Sequence, residues 1–214
     1  MNTREREAIR YLGYGKAEPD EHIKKLIDSS FQELEQIAEK KLYYQTCSLD
    51  IWNDYSLMIG TVEIKSKNLC KNLRGCKEVL VLGATLGTGV DRLLQKYERL
   101  DITRAVVLQA CAAAYLEEFC DVEQKKLKEH YGKEGLYLRP RFSPGYGDFS
   151  LEHQKDILEI LNAAKRIGLT MTESHMLIPT KSITAVIGIS GQNEACHVKG
   201  CEACTKEDCM YRRS

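Results

Sequence analysis

Apolar residues along this 214-residue chain change repeatedly between helical and strand spacing, and the two kinds of segment do not alternate regularly. Helical spacing follows Thr3 and Asp20, which are both good helix-capping residues, and it returns over residues 101–130 and 150–168. Runs typical of strands lie at residues 43–47, 56–64, 77–82, 135–142 and 182–190. A regular strand–helix alternation would indicate a parallel sheet. Its absence predicts an α+β fold with a mostly antiparallel sheet and flanking helices.

Composition sets outer limits on domain number and on partners. With 43% hydrophobic and 29% charged residues, the chain can bury a sizeable core, and we expect one domain over residues 1–190. Lys and Arg together number 31, as do Asp and Glu, so no excess of positive charge indicates a nucleic-acid partner. No apolar run has the length of a membrane span, and the N-terminus does not have the pattern of a leader. We therefore expect a cytoplasmic protein that binds neither nucleic acid nor membrane.

Two polar loops are the candidate site. The first loop, residues 141–148, contains an arginine, a Pro-Gly turn and a tyrosine. Arg141 offers a planar fork of donors for a carboxylate, Tyr146 offers an aromatic face, and Gly145 lets the main chain approach a ligand closely. The second loop, residues 172–182, follows one helix later. Together they indicate a site for a small zwitterion, although an ordinary strand-to-helix turn would use the same residue types.

A glycine-rich turn at residues 83–89 gives a second function class. A strand, a glycine-rich turn and a helix resemble a nucleotide cradle, as in a Rossmann-type methyltransferase. The spacing matches neither G-x-G-x-x-G nor the P-loop pattern, and the P-loop lysine is missing. A tight turn between packed elements is the interpretation we favour here.

Residues 191–214 form a polar tail too short for a core of its own. It holds four of the nine cysteines, Cys196, Cys201, Cys204 and Cys209, spaced C-x4-C-x2-C-x4-C. Four thiolates suit zinc or an iron–sulfur centre. A tail with free thiols is the alternative, because only one C-x2-C pair is present. A third function class, a metal-binding or redox adaptor acting through the tail, follows from the same residues.

The pairing of Arg141-x-x-Pro144-Gly145-Tyr146 with the segment from Thr172-Glu173-Ser174 to Ser182 resembles the activation domain of cobalamin-dependent methionine synthase. The Ala84-Thr85-Leu86-Gly87 segment is similar to that of free-standing members of the family. The resemblance covers about residues 1–190. It implies an α+β fold on an antiparallel sheet that binds S-adenosylmethionine.

The resemblance also implies roles for particular residues. Arg141 is expected to hold the ligand's carboxylate and Glu117 its ammonium group or another polar end, while Pro144, Gly145 and Tyr146 shape the pocket. No residue is expected to act as a protein nucleophile, because such a domain contributes orientation and charge complementarity. The resemblance implies that five residues of the second loop face a cobalamin-bearing partner: Glu173, Ser174, Met176, Pro179 and Ser182.

The implied activity depends on a partner protein. The family holds S-adenosylmethionine over cobalamin while an electron donor reduces the cobalt, so that methyl transfer traps the reduced state. This chain contains no Asp-x-His-x-x-Gly segment for binding cobalamin. We therefore expect cobalamin to be carried by a methionine synthase or another corrinoid protein, with a flavodoxin- or ferredoxin-like electron donor. The chain itself would be an accessory component of that methyltransferase.

Overall fold

A computed structural model describes residues 3–15 and 17–192 of the chain. These residues divide into two compact units: the first joins the chain up to Lys40 with Leu86–Asp121, and the second joins Lys41–Thr85 with the residues from Val122 onward. The helices are α1 (Thr3–Tyr11), α2 (Glu21–Ile37), α3 (Lys67–Asn72), α4 (Thr88–Leu100), α5 (Ile102–Gly132), α6 (Gln154–Leu161) and α7 (Ala163–Ile167). The strands are β1 (Lys41–Ile51), β2 (Ser56–Ile59), β3 (Val62–Lys65), β4 (Glu78–Thr85), β5 (Tyr137–Leu138), β6 (Thr170–Met171), β7 (Leu177–Ile178) and β8 (Ser182–Ser190).

The first unit is helical. Asp20 caps α2 as its sequence predicts, because its carboxylate accepts a hydrogen bond from the Ile23 N–H at 2.8 Å. Apolar residues at helical spacing then bury one face of α2, and the ring of Phe31 meets that of Tyr115 from α5 edge-on, with 6.4 Å between centroids. Of the described helices, none is both long enough and apolar enough to cross a bilayer.

The second unit is built on a six-stranded sheet with the strand order β3-β2-β1-β4-β8-β5. Every strand pair in the described residues is antiparallel. This confirms the predicted α+β class. The Rossmann-type alternative, which requires a parallel sheet, is wrong because β4 runs antiparallel to both of its neighbours.

Strand β4 lies at the centre and is buried on both faces. Val79 and Val81 point into a core that includes Phe149 and residues of α3, α6 and α7. Leu80 and Leu82 point to the opposite face, where Leu127 of α5 covers them. Because successive side chains of a strand alternate between faces, two covered faces require a continuous apolar run rather than an alternating one.

The structure corrects several element boundaries. Residues 56–64 form the β2–β3 hairpin rather than one bulged strand, since the chain turns at Gly60, where φ is +59°. The segment 83–89 is strand as far as Thr85, so its glycines do not form one cradle. The helix predicted from Ser150 breaks at Asn162, where φ is +46°. Short α3, which the sequence analysis did not predict, begins after a serine cap at Ser66.

Gly188 shows why a glycine interrupts the apolar sequence of β8. A Cβ atom there would lie 2.7 Å from Cys76 Sγ, 2.9 Å from Leu73 Cδ2 and 3.0 Å from Arg139 Cγ. These are closer than real Cβ contacts, so the neighbours of Gly188 occupy the space that a side chain would need.

We expect Gly188→Ala to lower the free energy of unfolding by about 1–3 kcal/mol, because overpacking a filled core forces its neighbours to shift. Urea denaturation followed by circular dichroism measures the loss. Gly132→Ala is the matched control, since a Cβ at Gly132 meets no atom within 4 Å. Equal stability of Gly188→Ala and wild type would show that this contact is not tight.

Candidate ligand-binding site

The first loop begins where the chain leaves the edge of the sheet after β5. The Phe142 N–H donates to the Val186 carbonyl at 2.9 Å, and the Val186 N–H donates back to Phe142 at 2.8 Å. The Arg139 N–H donates to the Gly188 carbonyl at 2.8 Å. Residues 139–142 therefore follow β8 beyond the two-residue strand β5, and they carry Arg141 at a fixed place beside the sheet.

Two glycines give the first loop its shape. Gly145 has φ +90° and Gly147 has φ +56°, both in the region that side chains disfavour. The Gly145 N–H donates to the Phe149 carbonyl at 2.8 Å, and the Tyr146 N–H donates to the Ser143 carbonyl at 3.1 Å. A Cβ on Gly147 would collide with the side chain of Asn68. The loop is thus a closed turn held by its own backbone, as the Pro-Gly sequence indicates.

Asp148 ties the first loop to the start of α3. Its carboxylate accepts hydrogen bonds from the Ser66 hydroxyl at 2.6 Å, the Lys67 N–H at 2.7 Å and the Asn68 N–H at 3.1 Å. Desolvation by burial would raise the pKa of Asp148, but these hydrogen bonds outweigh it and hold the pKa below its ordinary value. The sequence analysis did not single out Asp148, since its partners lie about 80 residues earlier.

An aromatic stack forms the base of the first loop. Buried Phe149 stacks on Phe142 at 6.3 Å and on His153 at 5.7 Å between ring centroids. The His153 Nδ1 atom lies 2.7 Å from the Asp156 carboxylate. Tyr146 tilts over Phe142 at 6.4 Å and is 67% exposed. The stack fixes the loop from below, whereas the Tyr146 ring faces solvent and is accessible to a ligand.

Arg141 is half-buried at the start of the first loop. Its Nη1 donates to the Gln124 Oε1 atom of α5 at 2.7 Å, and Gln124 is only 8% exposed. This contact orients the guanidinium. The contact of Gln124 with Arg141 was not predicted from the sequence. Nothing in the helical pattern distinguishes Gln124 from other buried positions. Pro144 is buried and Gly145 is exposed, so the turn presents its glycine outward.

The second loop follows β6 directly and includes the turn of the β6–β7 hairpin and strand β7. The Thr172 hydroxyl lies 2.8 Å from the Ser174 hydroxyl and accepts from the Met176 N–H at 3.1 Å. Glu173 and Ser174 are exposed at the tip, and Met176 is 60% exposed. These three residues thus lie on a surface where a large partner can reach them.

The last part of the second loop joins the sheet. Pro179 is buried, and the Ser182 hydroxyl donates to the Pro179 carbonyl at 2.6 Å and hydrogen-bonds with the Thr85 hydroxyl at 2.8 Å. Ser182 lies four residues before Val186, which is about 13 Å along an extended strand. Residues 137–142 run antiparallel to β8, so both loops leave the sheet toward the same end of β8.

Glu117 belongs to α5 within the first unit, whereas the first loop belongs to the second. Burial raises the pKa of the Tyr11 hydroxyl, and the negative charge of Glu117 raises it further. The expected contact of Glu117 with the ligand stays a prediction.

The tail cysteines lie outside the described residues. Within residues 3–15 and 17–192, no group of three or more His, Cys, Asp or Glu side chains is placed to hold a metal ion. Cys70, Cys76, Cys111 and Cys120 are buried and form no disulfide. Burial raises the pKa of Cys111 to about 12, which suppresses the reactive thiolate. They are therefore small core residues, as their positions in apolar sequence indicate.

The first unit contains a separate cavity of about 430 Å³. Its walls come from the end of α1, from α2 and from the start of α5, and they include Leu12, Ile23 and Val106. None of the residues predicted for the ligand or the partner lines it.

Comparison with known proteins places both loops in one sequence family. A family model described as "Vitamin B12 dependent methionine synthase, activation domain" matches residues 69–214. The fold is similar to a crystal structure of the MetH reactivation domain bound to AdoHcy, with a TM-score of 0.63 and 14% sequence identity. That similarity covers 89% of this chain and 77% of the other. No curated protein sequence matches significantly.

The lowered pKa of Asp148 makes its contribution to stability pH-dependent. Because the folded pKa lies below the unfolded value, the contribution is complete above the unfolded pKa and is lost as pH falls through the folded value. We expect Asp148→Asn to be less stable than wild type at neutral pH, and the difference to shrink below about pH 4. Urea unfolding of both proteins over this pH range measures the difference. A difference that stays constant with pH would contradict the role of the carboxylate charge.

Proposed function

This chain belongs to the activation-domain family of vitamin B12 dependent methionine synthase, and we propose on this premise that it binds S-adenosylmethionine through the first loop. We further propose that it acts as a free-standing protein that supports reductive methylation of cobalamin on a partner. The family match, which spans well over half of the chain and includes both loops, supports the first statement. The Ala84-Thr85-Leu86-Gly87 segment, which is similar to that of free-standing members of the family, supports the second.

The geometry of the first loop is the observation that carries the proposal. A buried aromatic base and the Asp148 carboxylate hold the turn, while exposed Gly145 and Tyr146 face outward. Arg141 is oriented by Gln124 at the start of the same loop. A cation, a close-approach glycine and an accessible ring on a fixed scaffold fit the chemistry of an amino-acid ligand with a sulfonium centre.

Each of these residues has a distinct part in holding the ligand. The Arg141 guanidinium binds the ligand carboxylate and so fixes one end of the molecule. The face of Tyr146 lies against the sulfonium or the adenine and excludes water on that side. Gly145 leaves the main chain open for contact at van der Waals distance. None of them exchanges a proton or forms a covalent bond, so the chain contributes orientation alone.

Cobalamin on the partner, after one-electron reduction, would supply the nucleophile for methyl transfer, and S-adenosylhomocysteine would be the product released. We propose that the second loop meets that partner. Exposed Glu173, Ser174 and Met176 provide the contact surface. Pro179 and Ser182 shape the loop behind them, since one is buried and the other is hydrogen-bonded within the fold.

The partner is a cobalamin-binding methionine synthase or another corrinoid protein, and the electron comes from a flavodoxin- or ferredoxin-like donor. The chain is then an accessory component that has methyltransferase activity only in the complex. The alternative is a metal-binding or redox adaptor whose active part is the cysteine tail. As an accessory component, the chain binds S-adenosylmethionine at the first loop. As an adaptor, it does not bind S-adenosylmethionine at all.

We expect Arg141→Ala to weaken S-adenosylmethionine binding by roughly 10- to 150-fold, because a hydrogen bond to a charged group contributes about 1.5–3 kcal/mol. Isothermal titration calorimetry of wild type and variant measures the change. Arg141→Lys should recover only part of the affinity, since lysine keeps the charge but lacks the planar fork.

Arg74→Ala is the matched control, because Arg74 pairs with Asp54 on the exposed surface at 2.9 Å. It should bind like wild type. Gln124→Ala should give a smaller loss than Arg141→Ala, since Gln124 only orients the guanidinium. Equal affinities of wild type and Arg141→Ala would contradict the assignment of Arg141.

A second experiment separates the tail from the first loop. Replacing Cys196, Cys201, Cys204 and Cys209 with serine in the full chain should leave S-adenosylmethionine affinity unchanged. It should also abolish any zinc or iron found by metal analysis of the anaerobically purified wild type, because serine is a poor ligand for these metals. Absence of S-adenosylmethionine binding by both wild type and this variant would favour the adaptor, whereas loss of binding in the variant alone would contradict a ligand site confined to the first loop. A metal-free, colourless and folded wild type would contradict both metal proposals.

A further inference from the structure

Strand β1 has an open edge. On one side it pairs with β4 over Lys41–Ser48, whereas on the other side β2 pairs only with Leu49–Ile51. The reason is the short β2–β3 hairpin, which ends its pairing at Ile59 and turns back at Gly60. Seven residues, 41–47, of a strand next to the centre of the sheet therefore have no neighbouring strand on that side within the described chain.

The hydrogen bonds at the end of β1 show which backbone groups face the open edge. The Ser48 carbonyl accepts from the Gly60 N–H, and the Trp52 N–H donates to the Ser56 carbonyl, each at 3.0 Å on the β2 side. The Leu49 N–H donates to the Lys77 carbonyl at 3.0 Å on the β4 side. In an antiparallel ladder, alternate residues bond to opposite neighbours. The even-numbered residues thus face the β2 side, where Leu42, Tyr44 and Thr46 have no strand opposite them.

The open part of β1 and the terminal strand β3, which lie on the same side of the sheet, differ in how they are protected. Four-residue β3 carries exposed charges at Glu63 and Lys65, which discourage pairing with another chain. Residues 42–49 contain neither a charged residue nor a proline. Tyr44, Gln45 and Thr46 are exposed, and no described strand pairs with this edge. An unprotected edge rich in β-forming residues is a template for an added strand.

We propose that two copies of this chain pair through the open edge, β1 against β1, about a two-fold axis at Tyr44. The midpoint of residues 41–47 is Tyr44, so this axis places Tyr44 opposite Tyr44 of the second copy and Leu42 opposite Thr46 of the second copy. Each of these positions is even-numbered and directs its N–H and C=O outward. Three hydrogen-bonded residue pairs then satisfy the outward groups of both copies and join two six-stranded sheets into one.

The side chains fit this register. The axis gives a tyrosine–tyrosine pair across the strands, a favourable cross-strand combination. Lys41 lies opposite Cys47 of the second copy, so no like charges meet. A two-fold pairing also leaves neither copy with an open β1 edge. The result is a closed dimer rather than a fibre.

Sedimentation velocity of the full chain tests the proposal. In a concentration series that reaches about 100 µM, we expect wild type to sediment with twice the mass of one chain. Even weak self-association is measurable at the upper end of this series. Tyr44→Lys should sediment at the mass of one chain, because it sets two like charges opposite each other on the axis. Glu63→Lys, a charge change on the protected edge, should remain a dimer.

Amide hydrogen exchange provides a second readout that needs no substitution. In wild type, protection of the Leu42, Tyr44 and Thr46 amides should rise with concentration, whereas the Tyr43 and Gln45 amides, which face β4, should be protected throughout. A wild type that stays monomeric would overturn the proposal. So would a dimer that Tyr44→Lys leaves intact, or amides at the edge that become protected only when another protein is added.

Discussion

The pairing of β4 with β8 is the interaction on which the second unit depends. Eight residue pairs, from Glu78 with Ile189 to Thr85 with Ser182, form one uninterrupted antiparallel ladder. Because β4 is buried on both faces, its backbone groups have no water to bond and must be satisfied by neighbouring strands. The ladder also fixes where β8 begins, and with it the place at which the two candidate loops leave the sheet. The position of both candidate loops is therefore a consequence of strand register.

In the candidate site, some residues stabilise the loops and others are exposed to solvent. Asp148 and Phe149 are engaged with α3 and with the aromatic stack, whereas Tyr146 and Met176 remain largely exposed. Such a division is consistent with the proposed function, in which a small molecule is bound and then presented to a second polypeptide. The supports keep the loop in one shape, so binding does not have to order it first.

The sequence predicted the fold class and the strongly periodic elements, because burial of one helix face or two sheet faces leaves a pattern in the chain itself. The Asp20 cap, the long helix α5 and strand β8 are such cases. It also predicted a turn in the first loop, because Pro144 and Gly145 are typical turn residues. The sequence did not predict the residues that stabilise the first loop. Gln124 and the Ser66–Asp148 contact depend on tertiary neighbours, and no local pattern distinguishes a buried glutamine that orients an arginine from one that only packs.

The hydroxyl contact of Ser182 with Thr85 joins residues 97 apart in the chain, and the contact of Asp148 with Ser66 joins residues 82 apart. Contacts of such high sequence separation form only after the intervening loops have closed, which makes them late and slow events in folding. A chain with an incomplete sheet would therefore lack the hydrogen bonds that anchor both candidate loops, so their anchorage reports on completion of the sheet.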